Sequence, residues 1–203
     1  MKKTKNKKKT ICIIFAIAII LLTGCGSSSE KNSPENSNQE NSNQENSNPE
    51  KSTQKEVYQE LSTGDVAPDF TVETVSGNDF TLSEQNGKVV LLNFWATWCG
   101  PCVEEMPAFE RLYGEYGEEV AILAVNCMED TISVAQFLAD KGYTFPIAYD
   151  PEGAVNMKYP TDGIPYTLVI GKDGMVKNIY LGARGADAQY EEYKSAIDEA
   201  LKE

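Results

Sequence analysis

The chain has 203 residues, 41% hydrophobic and 24% charged, with 31 acidic against 18 basic side chains and a net charge of −13. It contains no histidine, which excludes histidine-based catalytic triads, histidine general bases and histidine metal sites. Residues 57–203 hold 9 basic and 25 acidic groups; so acidic a body lacks the clustered positive face that phosphate backbones require, and no nucleic-acid partner is expected.

Six of the basic residues are lysines within the first nine positions. Twelve largely apolar residues follow, Ile11 to Leu22, then Thr23-Gly24-Cys25. A basic start, a short apolar run and small residues describe a secretory signal over residues 1–24. At about 1.5 Å per residue the run covers only about 18 Å, short of a bilayer core of roughly 30 Å. Leu22-Thr23-Gly24-Cys25 resembles the bacterial lipobox, whose cysteine is diacylated and becomes the new N-terminus. That likeness implies a lipid-anchored chain facing outside the cytoplasm. Two acyl chains would satisfy the two-signal requirement for stable membrane attachment. A plain signal peptide or an uncleaved anchor is the competing possibility.

Residues 26–56 are almost devoid of apolar side chains and repeat Glu-Asn-Ser-Asn from Glu35 onward. Such a tract cannot bury enough surface to offset the entropy of ordering itself. It is expected to be a tether spanning roughly 30 Å as a flexible coil and about 100 Å stretched. The folded domain is expected over residues 57–203, enough for a sizeable core.

Phe70–Val75 and Phe80–Leu82 flank Ser76-Gly77-Asn78-Asp79, which predicts a hairpin. Lys88 to Trp95 is a nearly continuous apolar run, as in a central strand buried on both faces. A helix is predicted from Pro101 to about Tyr116, bent at Pro107. A second buried strand (Val120–Asn126), a helix (Ile132–Lys141) and a weak strand (Pro146–Tyr149) follow. Pro165–Ile170 and Val176–Leu181 form a strand pair turning at Gly171-Lys172-Asp173-Gly174. A helix over Tyr190–Leu201 closes the chain. The alternation predicts an α/β fold in which helices flank a central mixed sheet. The N-terminal hairpin is an extension, and a helix–strand segment is inserted.

Trp98-Cys99-Gly100-Pro101-Cys102 lies between the most buried strand and the following helix. A zinc site would need a second ligand pair or histidine, and haem attachment would need histidine where Val103 stands. No metal and no bound cofactor are expected. A cysteine at a helix start faces unpaired amides and the positive end of the helix dipole, so the Cys99 thiolate is favoured. Cys102, three residues on, is close enough to close a small disulfide. Cys99 would attack a substrate disulfide, and Cys102 would resolve the mixed disulfide.

This motif in its strand–helix context resembles the active site of the thioredoxin superfamily. Asn93-Phe94-Trp95-Ala96-Thr97-Trp98-Cys99, Cys102-Val103-Glu104-Glu105-Met106-Pro107 and Ala67-Pro68-Asp69-Phe70 are similar to the TlpA/ResA-like membrane-tethered members, over about residues 62–200. The resemblance implies a thioredoxin-like fold and thiol–disulfide oxidoreductase activity on protein thiols and disulfides. Its electrons would come from a membrane thiol transporter. Gly163-Ile164-Pro165-Tyr166-Thr167 matches the family loop in which a cis-proline faces the cysteines, so Ile164 and Pro165, with Trp98, Gly100 and Pro101, are candidate substrate contacts. Asn93 stands where thioredoxin proper has a buried carboxylate, and asparagine cannot accept a proton. Glu105 matches a family glutamate thought to tune the thiols, and it is an i,i+3 neighbour of Cys102. It would either shuttle a proton to Cys102 or, with Glu104, complement the helix dipole. Cys127 is either a third redox cysteine at the same sheet edge or an inert thiol. Trp95 and Trp98 are assigned to core and rim packing; Tyr143, Tyr149, Tyr159, Tyr166 and Tyr180 could line a partner groove, but most of them are assigned to framework. A monomer acting as reductant is expected. The competitors are a peroxiredoxin-like peroxidase and a tethered binding lipoprotein without chemistry. Members of the family reduce apocytochrome cysteines, support spore envelope assembly or feed methionine sulfoxide reductases; the residues leave that choice open.

Overall fold

The structure, a computed structural model, describes residues 58–203. The expected signal, Cys25 and the tether lie outside the described residues. Among those described, no helix is long and apolar enough to cross a membrane.

The chain opens with a short antiparallel hairpin, β1 (Thr71–Glu73) and β2 (Asp79–Thr81), pairing Val72 with Phe80. It is shorter than the apolar pattern predicts. Thr74 closes the turn by bonding the Asn78 carbonyl through both its amide and its hydroxyl, at 2.8 Å each, and bridges Ala148. Val75 then donates to the Ile147 carbonyl at 2.7 Å, which ties the hairpin to the main sheet.

The remaining strands are β3 (Val89–Trp95), β4 (Val120–Cys127), β5 (Ile147–Asp150), β6 (Tyr166–Ile170) and β7 (Val176–Leu181). They form one sheet in the order β5-β4-β3-β6-β7. β4 runs parallel to β3 and to β5, and β6 is antiparallel to β3 and to β7. The central strand β3 is buried at every position, as a strand covered on both faces must be. Its alternate side chains divide the core. Val89, Leu91 and Trp95 join one cluster with residues of the helices α1 (Gly100–Tyr116), α2 (Thr131–Lys141) and α3 (Ala186–Ala200). Val90, Leu92 and Phe94 join the other, under Phe70, Phe80, Val155 and Tyr159. Both Tyr159 and Tyr166 are buried, consistent with a framework role.

Asp130 caps α2 by accepting from the Ser133 amide at 2.9 Å, and Gly142 ends it in the left-handed region. α3 starts at Ala186, four residues before the predicted onset. Ala186, Asp187 and Ala188 carry no large apolar side chain, so the periodic signal starts late. The start is made instead by Gly185, at φ +88°, and by the Gln189 side chain, which accepts from the Arg184 amide at 3.2 Å. Gln189, Tyr193, Ala196, Ile197 and Ala200 then form the buried stripe.

Leu92 is fully buried in the second cluster. Leu92→Ala should therefore lower stability by about 2–5 kcal/mol, read as a fall in the urea midpoint at unchanged m-value; a loss under about 0.5 kcal/mol, the level of surface substitutions, would contradict this packing.

Candidate active site

Strand β3 stops at Trp95 and α1 starts five residues later, so the intervening turn sits at one edge of the sheet. Cys99 is the N-cap of α1, with extended backbone (φ −83°, ψ 100°), and its sulfur accepts from the Cys102 amide at 3.3 Å. Pro101 occupies the first turn, where its missing amide leaves no donor unpaired. The bound amide and the helix dipole both favour negative charge on the Cys99 sulfur. The two cysteines form a disulfide with Cα atoms 5.2 Å apart. Cys99 retains 6% exposure and Cys102 none, so a partner sulfur reaches Cys99 first.

The Ile164–Pro165 peptide bond is cis. The Ile164 carbonyl oxygen lies 3.7 Å from Cys99 Sγ, within reach of the thiol proton once the disulfide is reduced. The Pro165 carbonyl accepts from Gly182 at 2.8 Å, which fixes the loop to the end of β7. Ile164 is half-buried and Pro165 buried. Trp98 is 72% exposed, and Gly100 and Pro101 are also exposed. These two loops thus bring Trp98, Gly100 and Pro101 on one side and Ile164 and Pro165 on the other to the same end of the sheet as the disulfide.

One turn after Cys102 on α1, Glu105 is fully buried. Its Oε1 accepts from Asn93 Nδ2 at 2.9 Å, and its Oε2 accepts from the Tyr193 hydroxyl at 2.8 Å. Asn93 Nδ2 also donates to Thr167 Oγ1 at 2.9 Å, and Thr167 Oγ1 lies 3.2 Å from the Tyr193 oxygen. Burial pushes the Glu105 carboxyl up from 4.5 to about 7, against the two hydrogen bonds, which lower it. A carboxyl in that range can take and return a proton at neutral pH. Glu104, by contrast, is exposed.

A second carboxylate braces the active-site turn from outside. Glu129 accepts from the Thr97 amide at 2.7 Å, the Thr97 hydroxyl at 2.5 Å and Asn126 Nδ2 at 2.7 Å. Cys127 ends β4 at this edge and is 6% exposed. Its sulfur accepts from Asn156 Nδ2 at 3.4 Å, and burial pushes the thiol up to about 12. It stays protonated at neutral pH, as an inert thiol does. Among the described residues, no group of three or more histidine, cysteine, aspartate or glutamate side chains could hold a metal ion.

The family described as Redoxin matches residues 62–197. Thiol-disulfide oxidoreductase ResA of Geobacillus kaustophilus is 43% identical over 123 residues, 60% of this chain and 71% of that protein. Thioredoxin-like protein YneN of Bacillus subtilis is 41% identical over 133 residues, 64% of this chain and 76% of that protein. A crystal structure from Chlorobium tepidum, described as a thiol:disulfide interchange protein DsbE, superposes with a TM-score of 0.64 at 34% identity, covering 70% of this chain and 99% of that one. The chain belongs to the Redoxin family. Within it, the protein is a TlpA/ResA-like thiol-disulfide oxidoreductase with the thioredoxin fold.

In this Redoxin-family site, sequence reasoning located both cysteines, the cis-proline loop and Glu105, but not their polar support. Asn93 was legible as the one polar residue in an otherwise apolar buried run, a position that demands a partner. It serves as a donor. Nothing local marked Thr167, Tyr193 or Glu129, which meet their partners across 74, 88 and 32 residues of chain.

The raised Glu105 carboxyl gives a signed prediction. The folded state holds its proton more tightly than the unfolded chain, so this contribution to stability is complete below about 4.5 and lost as pH rises through about 7. Glu105→Gln mimics the protonated form. Between pH 4.5 and 8 the wild type should lose about 3 kcal/mol relative to the variant in urea unfolding; a difference independent of pH would contradict the assignment.

Proposed function

We propose that the protein is a lipid-anchored, extracytoplasmic reductant of protein disulfides. The observation that carries the exchange chemistry is the pairing at the start of α1: Cys99, which retains 6% exposure and whose sulfur accepts the Cys102 amide, beside a fully buried Cys102. The lipobox-like Leu22-Thr23-Gly24-Cys25 supports the anchor, with Cys25 as the acylated residue. The polar tract to residue 56 supports a spacer that lets the domain reach partners near the membrane.

The reaction starts from the dithiol. The Cys99 thiolate attacks one sulfur of the partner disulfide, forming a mixed disulfide and releasing the partner's other sulfur as a thiolate. Trp98, Gly100, Pro101, Ile164 and Pro165 contact the partner chain around that bond. Cys102 then gives its proton to the Glu105 carboxylate, and its thiolate attacks Cys99. The Cys99–Cys102 bond forms and the partner leaves as a second thiolate, so two electrons pass to the partner. A membrane thiol donor returns two electrons to the disulfide. No further cofactor takes part.

Cys102→Ser should stall the mixed disulfide on Cys99 and abolish insulin reduction by the full chain with dithiothreitol. Capture of disulfide-linked proteins by this variant, absent with Cys99→Ser, is the expected result. Turnover of insulin by the Cys99→Ser variant at the wild-type rate would overturn the mechanism. Cys25→Ser should move the protein from the membrane fraction to the soluble one; retention in the membrane would overturn the lipid anchor.

A further inference from the structure

Four side chains from four elements close a ring in the core: Asn93 of β3, Glu105 of α1, Thr167 of β6 and Tyr193 of α3. Proton counting gives the ring a direction. Asn93 Nδ2 carries two protons and donates one to Glu105 Oε1 and one to Thr167 Oγ1. Tyr193 carries one, and the nearer, charged acceptor is Glu105 Oε2 at 2.8 Å, against 3.2 Å to Thr167 Oγ1. The Thr167 hydroxyl, already an acceptor from Asn93, is then free to give its proton to the Tyr193 oxygen. Gln189, buried one turn earlier on α3, spends its side-chain oxygen on the Arg184 amide. With the Thr167 hydroxyl facing the Tyr193 oxygen as a donor, the Tyr193 proton has one good destination, the carboxylate.

We propose that Tyr193 and Thr167 are positioning residues of the exchange reaction, closing a ring of hydrogen bonds that holds the Glu105 carboxylate ready to accept the proton of Cys102. The inference rests on Glu105 as that acceptor. When Cys102 loses its proton the S–H bond breaks, the proton moves to Glu105, and the sulfur electron pair forms the bond to Cys99 as the partner thiolate departs. The ring acts before this step by offsetting part of the rise that burial imposes on Glu105, so that an ionised carboxylate is available near neutral pH. Cys102 on the same helix and Tyr193 on α3 are the titratable groups facing it; β3 and β6 present the neutral Asn93 and Thr167. Burial raises the Tyr193 phenol far above its ordinary range, so at neutral pH it donates and does not titrate.

The test follows the Glu105 carboxyl directly, by ¹³C NMR of the reduced full chain, with the signal assigned by its loss in Glu105→Gln. In Tyr193→Phe the carboxylate loses a hydrogen bond from a neutral donor, and its midpoint should rise by about one pH unit. The pH profile of insulin reduction should move up with it. Thr167→Val should raise the midpoint by a smaller amount, and Thr167→Ser, which keeps the hydroxyl, should restore it. An unchanged midpoint in Tyr193→Phe would overturn the proposal. Should that variant fail to fold, equal midpoints in Thr167→Val and Thr167→Ser would overturn it instead. Absence of insulin reduction by the wild type would sink the exchange reaction, whereas the carboxyl midpoint reports on the ring in either case.

Discussion

The site depends on one short hydrogen-bonding turn: the Cys102 amide pointing at the Cys99 sulfur where α1 begins. That bond exists because the chain leaves the most buried strand of the sheet and must start a helix within five residues. The first amides of a helix have no internal acceptor, and here a sulfur takes one of them. Helix start, reactive atom and sheet edge therefore coincide. Pro101 starts the helix without adding an unpaired donor, and the Pro165 loop, held by Gly182 at the end of β7, brings the Ile164 carbonyl to the same sulfur.

The second constraint is a carboxyl group fully buried in an otherwise apolar cluster. An ionised carboxylate there is expensive unless its oxygens are bonded. Two effects oppose each other at Glu105, and burial outweighs the bonds from Asn93 and Tyr193. The outcome is a group poised near neutrality one turn after Cys102 on α1, where both side chains are fully buried. The cysteines exchange electrons at the surface, while the proton is handled in the core. Glu129 shows the contrasting case. It is half-exposed and carries three hydrogen bonds, and it ties the Thr97 turn to the end of β4.

How much of this was legible in the sequence follows the range of the interactions. Lys88–Trp95 announced a doubly buried strand because every residue from Val89 to Trp95 except Asn93 is apolar. Cys99, Pro101 and Cys102 were legible because a helix start is a local event, and Glu105 because i,i+3 spacing is fixed by helix geometry. The hairpin came out shorter because Thr74 closes the turn on the Asn78 carbonyl and bridges Ala148 of the main sheet. The onset of α3 was missed because Gly185 and Gln189 make it through backbone freedom and a side-chain bond, neither of which has hydrophobic periodicity. Tyr193 could not be found by pattern: its partner Glu105 lies 88 positions earlier, and the helix face that joins them is set by packing on the sheet.

The chemistry thus reduces to a division of labour between two cysteines three residues apart, one reachable and supported by an amide, the other buried one helical turn before a buried carboxyl. The most direct measurement is mass-mapped alkylation of the reduced chain with limiting iodoacetamide at neutral pH, compared with glutathione under the same conditions. Among the cysteines of residues 58–203, Cys99 should be labelled alone and faster than glutathione, with Cys102 and Cys127 untouched. Labelling of Cys102 or Cys127 ahead of Cys99, or a Cys99 rate no greater than that of glutathione, would contradict the assignment of Cys99 as the attacking sulfur.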